Sequence, residues 1–323
     1  MKKSIIIAAL PFLLFAVACK KDKKNEPEPE PNPAAVDNYS SLTEFFEKNG
    51  AQKQTFTFDA ATGGSFTTPQ STTINIPPNA FQASGKITLE FKDIYQKSDM
   101  LLSDMPTNLY DGTALTSGGE MFIKALSNGT PVKIAPGKTI EMRLPMKSQS
   151  TATMTAFVAV KDTVAKSNVW TPSQTQTVTT VQTQPIATNS GANYYSLTMS
   201  DFSSPLNNGT WTNCDHPHFP PSTPQTPFKI SISNVVNSPK VYMVFKSAKT
   251  MISVWGTGSN PRQNFLYSYA PTGYQCSVIV VDVNNGKLHT SITPVTIAAN
   301  QSISVELNEN TTENFKASLK ALD

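Results

Sequence analysis

Cysteine, histidine and charge are all scarce in this chain, which has only 3 Cys, 3 His and 15% charged side chains in 323 residues. So few cysteines exclude a disulfide-dense secreted scaffold or a zinc module held by four thiolates. The histidines fall at His216, His218 and His289 and form no His-Glu-x-x-His helix. No Gly-x-Ser-x-Gly elbow, phosphate loop or dinucleotide fingerprint occurs, so the sequence offers neither an exposed nucleophile turn nor a glycine cradle for phosphate. No interval between the extended segments carries a long 3.6-residue apolar period, which argues against parallel βαβ architectures. The formal net charge of +3 is too close to zero to attract nucleic acid or an anionic bilayer electrostatically. Paired carboxylates for glycoside hydrolysis are spatial rather than sequential and leave no trace of this kind. The acidic residues, however, are few and mostly sit in the N-terminal stretch or at strand ends.

The N-terminus is where the apolar residues run together. Lys2 and Lys3 precede an apolar segment, Ser4–Phe15, too short to span a bilayer comfortably, and the run ends in Ala16-Val17-Ala18-Cys19. This stretch resembles the signal peptide and lipobox of bacterial lipoproteins. The resemblance implies cleavage after residue 18, with Cys19 as the acylated first residue and the lipid bilayer as its partner. Loss of Lys2 and Lys3 would bring the mature chain to about +1. Several acyl chains exceed what stable anchoring requires, at about 0.8 kcal/mol per buried methylene. Residues 19–36 read as a tether. In Glu26-Pro27-Glu28-Pro29-Glu30-Pro31 alternate residues lack an N–H and have φ fixed, which predicts an extended polyproline-like spacer. In lipoproteins of the Bacteroidota type, acids directly after the cysteine mark surface export. Here Lys20 and Lys21 come first, so the implied location is the outer membrane, on its periplasmic face or at the cell surface.

Beyond the tether the sequence predicts an all-β chain of tandem antiparallel β-sandwich modules, with a short N-terminal and a C-terminal helix. The first helix is expected in SLTEFFEKNG, with Ser41 and Glu44 as a capping box and Gly50 as a left-handed stop. Period-two segments bounded by Gly, Pro, Asn or Ser then follow from Thr55, Ser71, Lys86, Glu120 and Lys138. Gly63-Gly64, Ile76-Pro77-Pro78-Asn79-Ala80-Phe81 and Thr116-Ser117-Gly118-Gly119 together resemble the β-sandwich module of ankyrins and netrin receptors in its bacterial lipoprotein form. Placed at residues 37–131, that resemblance implies an interaction scaffold. Some relatives cleave themselves at His-Phe-Ser, a triplet absent here. A second β region, 132–221, contains a Gln/Thr/Ser-rich run at 173–191, to be read as an edge hairpin or a loop. It ends in Trp211-Thr212-Asn213-Cys214-Asp215, similar to a junction of the same lipoprotein group. Residues 222–323 read as an Ig-like sandwich of about seven strands, with a type I′ turn at Asn285-Gly286 and an apolar-both-faces strand at Ser277–Val283. The C-terminal helix should be capped by Asn310 and Glu313, and its stripe of Phe315, Leu319 and Leu322 belongs to a core.

Few residues suggest chemistry. Cys214 and Cys276 form an even pair, and a bridge between them would close a loop of about 60 residues and contribute roughly 4 kcal/mol; the alternative is two separate buried thiols. Asp215, His216 and His218 could offer a carboxylate and two imidazoles to zinc or copper, since residues two apart on an extended segment point the same way. Trp170, Trp211 and Trp255, with Tyr194 and Tyr195, could stack on sugar rings or plug the core. Asp162-Thr163-Val164 matches the acceptor pattern for O-glycosylation of Thr163 in exported Bacteroidota proteins. The reading is therefore a membrane-anchored, non-catalytic lipoprotein scaffold without a cofactor, binding a protein, glycan or envelope component. The alternatives are a glycan-binding accessory of polysaccharide uptake and a metal-dependent hydrolase built on His216 and His218.

Overall fold

The computed structural model describes residues 37–146, 153–162, 167–181, 193–202, 209–220, 222–235, 237–257 and 262–323. The signal segment, the tether, Cys19, Thr163 and residues 182–191 of the Gln/Thr-rich run lie outside the described residues. From Asp37 onward the chain is one compact unit.

Helix α1 (Leu42–Asn49) opens the unit and is followed by β1 (Gln54–Asp59), β2 (Gly64–Thr67), β3 (Thr73–Ile76) and β4 (Lys86–Ile94). A short α2 (Lys97–Leu102) leads into β5 (Leu115–Ser127), β6 (Thr130–Pro131) and β7 (Ile140–Pro145). The first half ends with β8 (Thr155–Asp162), β9 (Ser167–Pro172), β10 (Gln176–Val181), β11 (Tyr194–Met199) and β12 (Thr210–Pro217). The second half begins with β13 (Gln225–Ser233), β14 (Lys240–Phe245), β15 (Met251–Thr257) and β16 (Asn264–Pro271). It continues through β17 (Gln275–Asn284), β18 (Lys287–Thr296), β19 (Ser302–Glu306) and β20 (Asn308–Asn310) to α3 (Thr312–Lys320).

The strands of the first half form two sheets, β1-β4-β5-β12-β8-β9 with β6 beside β5, and β10-β11-β7-β3-β2. Alternation drives this arrangement: in β4, Ile87, Leu89 and Phe91 point inward while the residues between them stay half-exposed. Those inward residues meet Met121, Ile123 and Ala125 of β5 and, from the facing sheet, Ile74, Met142, Leu144 and Leu197. The boundary expected at 131/132 does not separate two sandwiches. β3 pairs with β7 (Asn75 opposite Glu141) and β5 pairs with β12, so residues on both sides of 131 share the same two sheets. The described part of the Gln/Thr-rich run is the edge strand β10, paired with β11.

The second half is an eight-stranded sheet, β19-β13-β16-β15-β14-β17-β18-β20, folded around its own core of Phe228, Met243, Phe245, Val278 and Val280. Its pairings are antiparallel except β13 with β19, a departure from the wholly antiparallel expectation. Asn285 and Gly286 have φ of 50° and 82°, the positive pair that a type I′ turn between β17 and β18 requires. As expected, β17 is buried on both faces. Val278 and Val280 face the second core, while Ile279, Val281 and Val283 face the other way.

That second face joins the halves. Tyr242, Val244, Ile279 and Val281 share one core with Phe45 and Phe46 of α1, Met100 and Leu101 of α2, Trp170, and Phe315 and Leu319 of α3. The stripe of α3 is thus core, and each such buried apolar side chain contributes about 1.5–3 kcal/mol. Two helix-end expectations are corrected. Gly50 closes α1 with φ −72° and ψ −178°, extended rather than left-handed, and its glycine is explained by space instead: a Cβ there would lie 2.9 Å from the carbonyl oxygens of Phe46 and Leu102. The N-cap of α3 is Thr311, whose hydroxyl accepts from the Asn314 N–H, rather than Asn310. Ser41 caps α1 as expected, while Glu44 turns back to the N–H and hydroxyl of Ser40. The N-terminal segment is also tied to the second half: the Tyr39 N–H donates to the Gly286 carbonyl, Tyr39 Oη lies 2.7 Å from Thr312 Oγ1, and Asp37 accepts from the Thr312 N–H.

Candidate functional site

The Gly118-Gly119 pair expected to permit close backbone approach sits in β5 opposite a register shift in β12. Asn213 pairs with Glu120 and Asp215 with Ser117, leaving three-residue spacing facing two. Gly119 has φ +146°, and a Cβ there would lie 2.5 Å from Tyr95 Cε1; one on Gly118 would lie 2.8 Å from the Cys214 carbonyl. Gly119→Ala is expected to destabilise the protein by about 1–3 kcal/mol, read as a lower urea midpoint; an unchanged midpoint would contradict the close approach.

This bulge buries two acids. Glu120 is 0% exposed and neither of its oxygens has a hydrogen-bond partner; Asp215, equally buried, accepts from Asn213 Nδ2 through one oxygen while the other is unpartnered. Burial pushes both carboxyls well above the usual range, and Asp215 raises Glu120 further. Asp93 nearby shows the contrast, receiving the hydroxyls of Thr68 and Thr72 at 2.5 and 2.7 Å. Glu120 and Asp215 are sealed inside the protein, so they cannot meet a substrate as they stand.

The same sealing removes Asp215 from its expected partnership with His216 and His218. Among the described residues no three His, Cys, Asp or Glu side chains come together as a metal site. His216 Nδ1 lies 2.8 Å from the Pro217 carbonyl, and His218 Nδ1 lies 2.7 Å from Thr116 Oγ1. Burial, helped by His216, pushes the His218 imidazole down to about 4, so it is neutral at neutral pH. Both histidines line a cleft of about 420 Å³ with Lys97, Lys246, Lys249 and Asp323. Lys97 is buried and donates to the Phe245 carbonyl at 3.0 Å.

The proposed disulfide is likewise corrected. Cys214 and Cys276 are free and buried, the first in the core of the N-terminal sandwich and the second in the core of the C-terminal one. Burial raises both thiols, that of Cys276 to about 12, so neither is an activated nucleophile.

The aromatics divide. Trp170 is 1% exposed and donates Nε1–H to the Pro106 carbonyl at 2.7 Å, which makes it a core plug and not a sugar platform. Tyr195 is core, whereas Tyr194 is half-buried with the Arg143 guanidinium 5.1 Å from its ring centre. Trp255 is half-buried on β15 and lines no described cleft with Trp211. Trp211 alone reaches a large cleft, about 540 Å³, formed where α1, β4, β8, β9 and β12 meet β14 to β16. Its indole is half-buried and braced by Phe122 at 5.4 Å between ring centres. Lys92, Lys161, Lys240 and Arg262 stand around it, with Glu47 and Asp104 as the acids. Lys240 pairs with Asp104 at 3.1 Å, and Asp104 also accepts from the Tyr242 hydroxyl at 2.6 Å. Burial lowers Lys92 from its ordinary value, with Lys53 adding to the effect.

The four cations were not legible as a group, because they come from strands and a loop far apart in the chain; only the half-polar Trp211 gave a signal. Among the described residues no helix is long and apolar enough to cross a membrane. Comparison of the chain with known protein families, with curated proteins and with solved structures found no match.

Proposed function

We propose that this chain is an envelope lipoprotein, acylated at Cys19, whose fused sandwiches form a non-catalytic scaffold that presents the cleft at their junction to a glycan. Of the proposed ligand classes, glycan is favoured over protein or another envelope component by one observation: a half-buried tryptophan in the wall of a cleft of about 540 Å³. That volume lies within the range of about 300–1,000 Å³ typical of small-ligand sites. Amphipathic rings such as indole suit surfaces that are part apolar and part wet. The anchor rests on the Ala18-Cys19 junction and on the Glu/Pro run after it. The outer membrane is the proposed location, and the resemblance to the module of ankyrins and netrin receptors supports a scaffold role.

The anchor is tested by growing cells with a clickable palmitate analogue. Wild type is expected to carry label in the membrane fraction, and Cys19→Ala to lose the label and be released. An unlabelled wild type would sink the anchor. Protease added to intact cells then assigns the face, with shaving expected for surface display and resistance for the periplasmic side.

A further inference from the structure

We propose that the Trp211 cleft takes an acidic saccharide, one bearing carboxylate or sulfate groups; this rests on the reading of the junction as a glycan site. The charge of the cleft carries the argument. Asp104 is already answered by Lys240 and by the Tyr242 hydroxyl. That leaves Lys92, Lys161 and Arg262 against Glu47. Among the described residues none of these three cations has a carboxylate within ion-pair distance. Lys92 is also half-buried, and burial with Lys53 disfavours its charge more than Glu47 supports it, a cost that a ligand anion would relieve.

A surplus of cations is not a general property of this protein, in which 26 Lys and Arg stand against 23 Asp and Glu. Concentrated around one accessible indole, it selects a ligand that joins an apolar face to fixed negative charge. A uronate or sulfated pyranose has that form: its C–H face lies against the ring while its acid group reaches the ammonium and guanidinium groups at the rim. A neutral sugar would leave Lys92, Lys161 and Arg262 with Glu47 as their one cleft acid besides Asp104. An acidic peptide could supply charge without a rigid apolar face for Trp211.

The test uses the full mature chain in detergent micelles, titrated with polygalacturonate, chondroitin sulfate, dextran as the neutral control and polyglutamate as the acidic non-sugar. Both acidic polysaccharides are expected to bind, and dextran and polyglutamate to bind at least about tenfold more weakly. Raising salt from about 0.05 to 0.5 M should weaken the acidic ligands, because Lys161 is exposed and Lys92 and Arg262 are only half-buried, all within reach of screening ions. Lys161→Gln combined with Arg262→Gln is expected to weaken polygalacturonate about tenfold or more while leaving the protein folded with little change in melting midpoint, since Lys161 is exposed and Gln keeps the inner methylenes of the half-buried Arg262. Trp211→Phe, which keeps a ring, should weaken binding in the same folded background.

Dextran binding as tight as polygalacturonate would overturn the acidic class and leave the glycan scaffold standing. Polyglutamate binding as tightly would overturn the saccharide class. Absence of binding to every polysaccharide, or binding indifferent to all these substitutions, would overturn the assignment of the cleft. Palmitate labelling is independent of these titrations, so failure of the anchor and failure of the ligand class are read separately.

Discussion

Trp170→Ala should lower the unfolding free energy by about 3–5 kcal/mol, the range for removing a large buried aromatic. Trp170 is 1% exposed, lies in the core shared by both halves, and bonds the Pro106 carbonyl through its indole N–H. Its backbone N–H also donates to the Asn108 carbonyl at 3.0 Å. Truncation therefore opens a cavity between the halves and leaves a buried carbonyl unpartnered. Trp170→Phe separates these effects: most of the volume stays, and the lost indole bond should cost about 1–3 kcal/mol. Urea denaturation gives both values. A loss under about 1 kcal/mol for the alanine variant, by the same mutational scale, would show that Trp170 is not core.

Glu120→Gln should make stability much less dependent on pH. Burial and the neighbouring Asp215 raise the Glu120 pKa in the folded protein, so the native carboxyl stays protonated after the unfolded one has ionised. Folding then takes up a proton. The contribution is fully present below the unfolded value, near 4.5, and is lost as pH rises towards the folded value. Over that window each such group costs about 1.4 kcal/mol per pH unit. Asp215 titrates in the same sense. Glutamine cannot ionise, so the variant should lose less stability than wild type between about pH 5 and pH 8. Its buried amide adds a roughly constant offset, which makes the slope the quantity to read. Parallel stability curves for the two proteins would refute a raised Glu120.

Strand existence was legible because burial in these strands obeys period two. KITLEFKDI and QTPFKISIS show alternation that nothing else produces, and Asn285-Gly286 can only be a tight turn. Strand partners were not legible. Nothing local to Asn75 specifies Glu141 across the ladder, because pairing depends on packing against distant faces. The boundary at 131/132 failed for this reason, and so did the disulfide: an even cysteine count says nothing about Cys214 and Cys276 lying in different cores. Gly118-Gly119 did signal a close approach, but the buried acids beside it did not stand out, since Glu120 resembles any strand-end glutamate. The Trp211 cleft draws its cations from β4, β8, β14 and the segment before β16, so composition alone could not assemble it.

The bonds from Asp37 and Tyr39 to Thr312 and Gly286 also have a mechanical meaning. A pull applied at the start of the folded unit enters through the hairpin turn and last helix of the second half, and passes to the first half across the shared apolar core and the hydrogen bonds beside it, such as Thr107 N–H to the Met251 carbonyl and Lys97 to the Phe245 carbonyl. Load arriving along that route meets the second half first and its packed seam next. Strand β1, which would otherwise peel from β4 one hydrogen bond at a time, lies beyond this clasp and is shielded from the first tug.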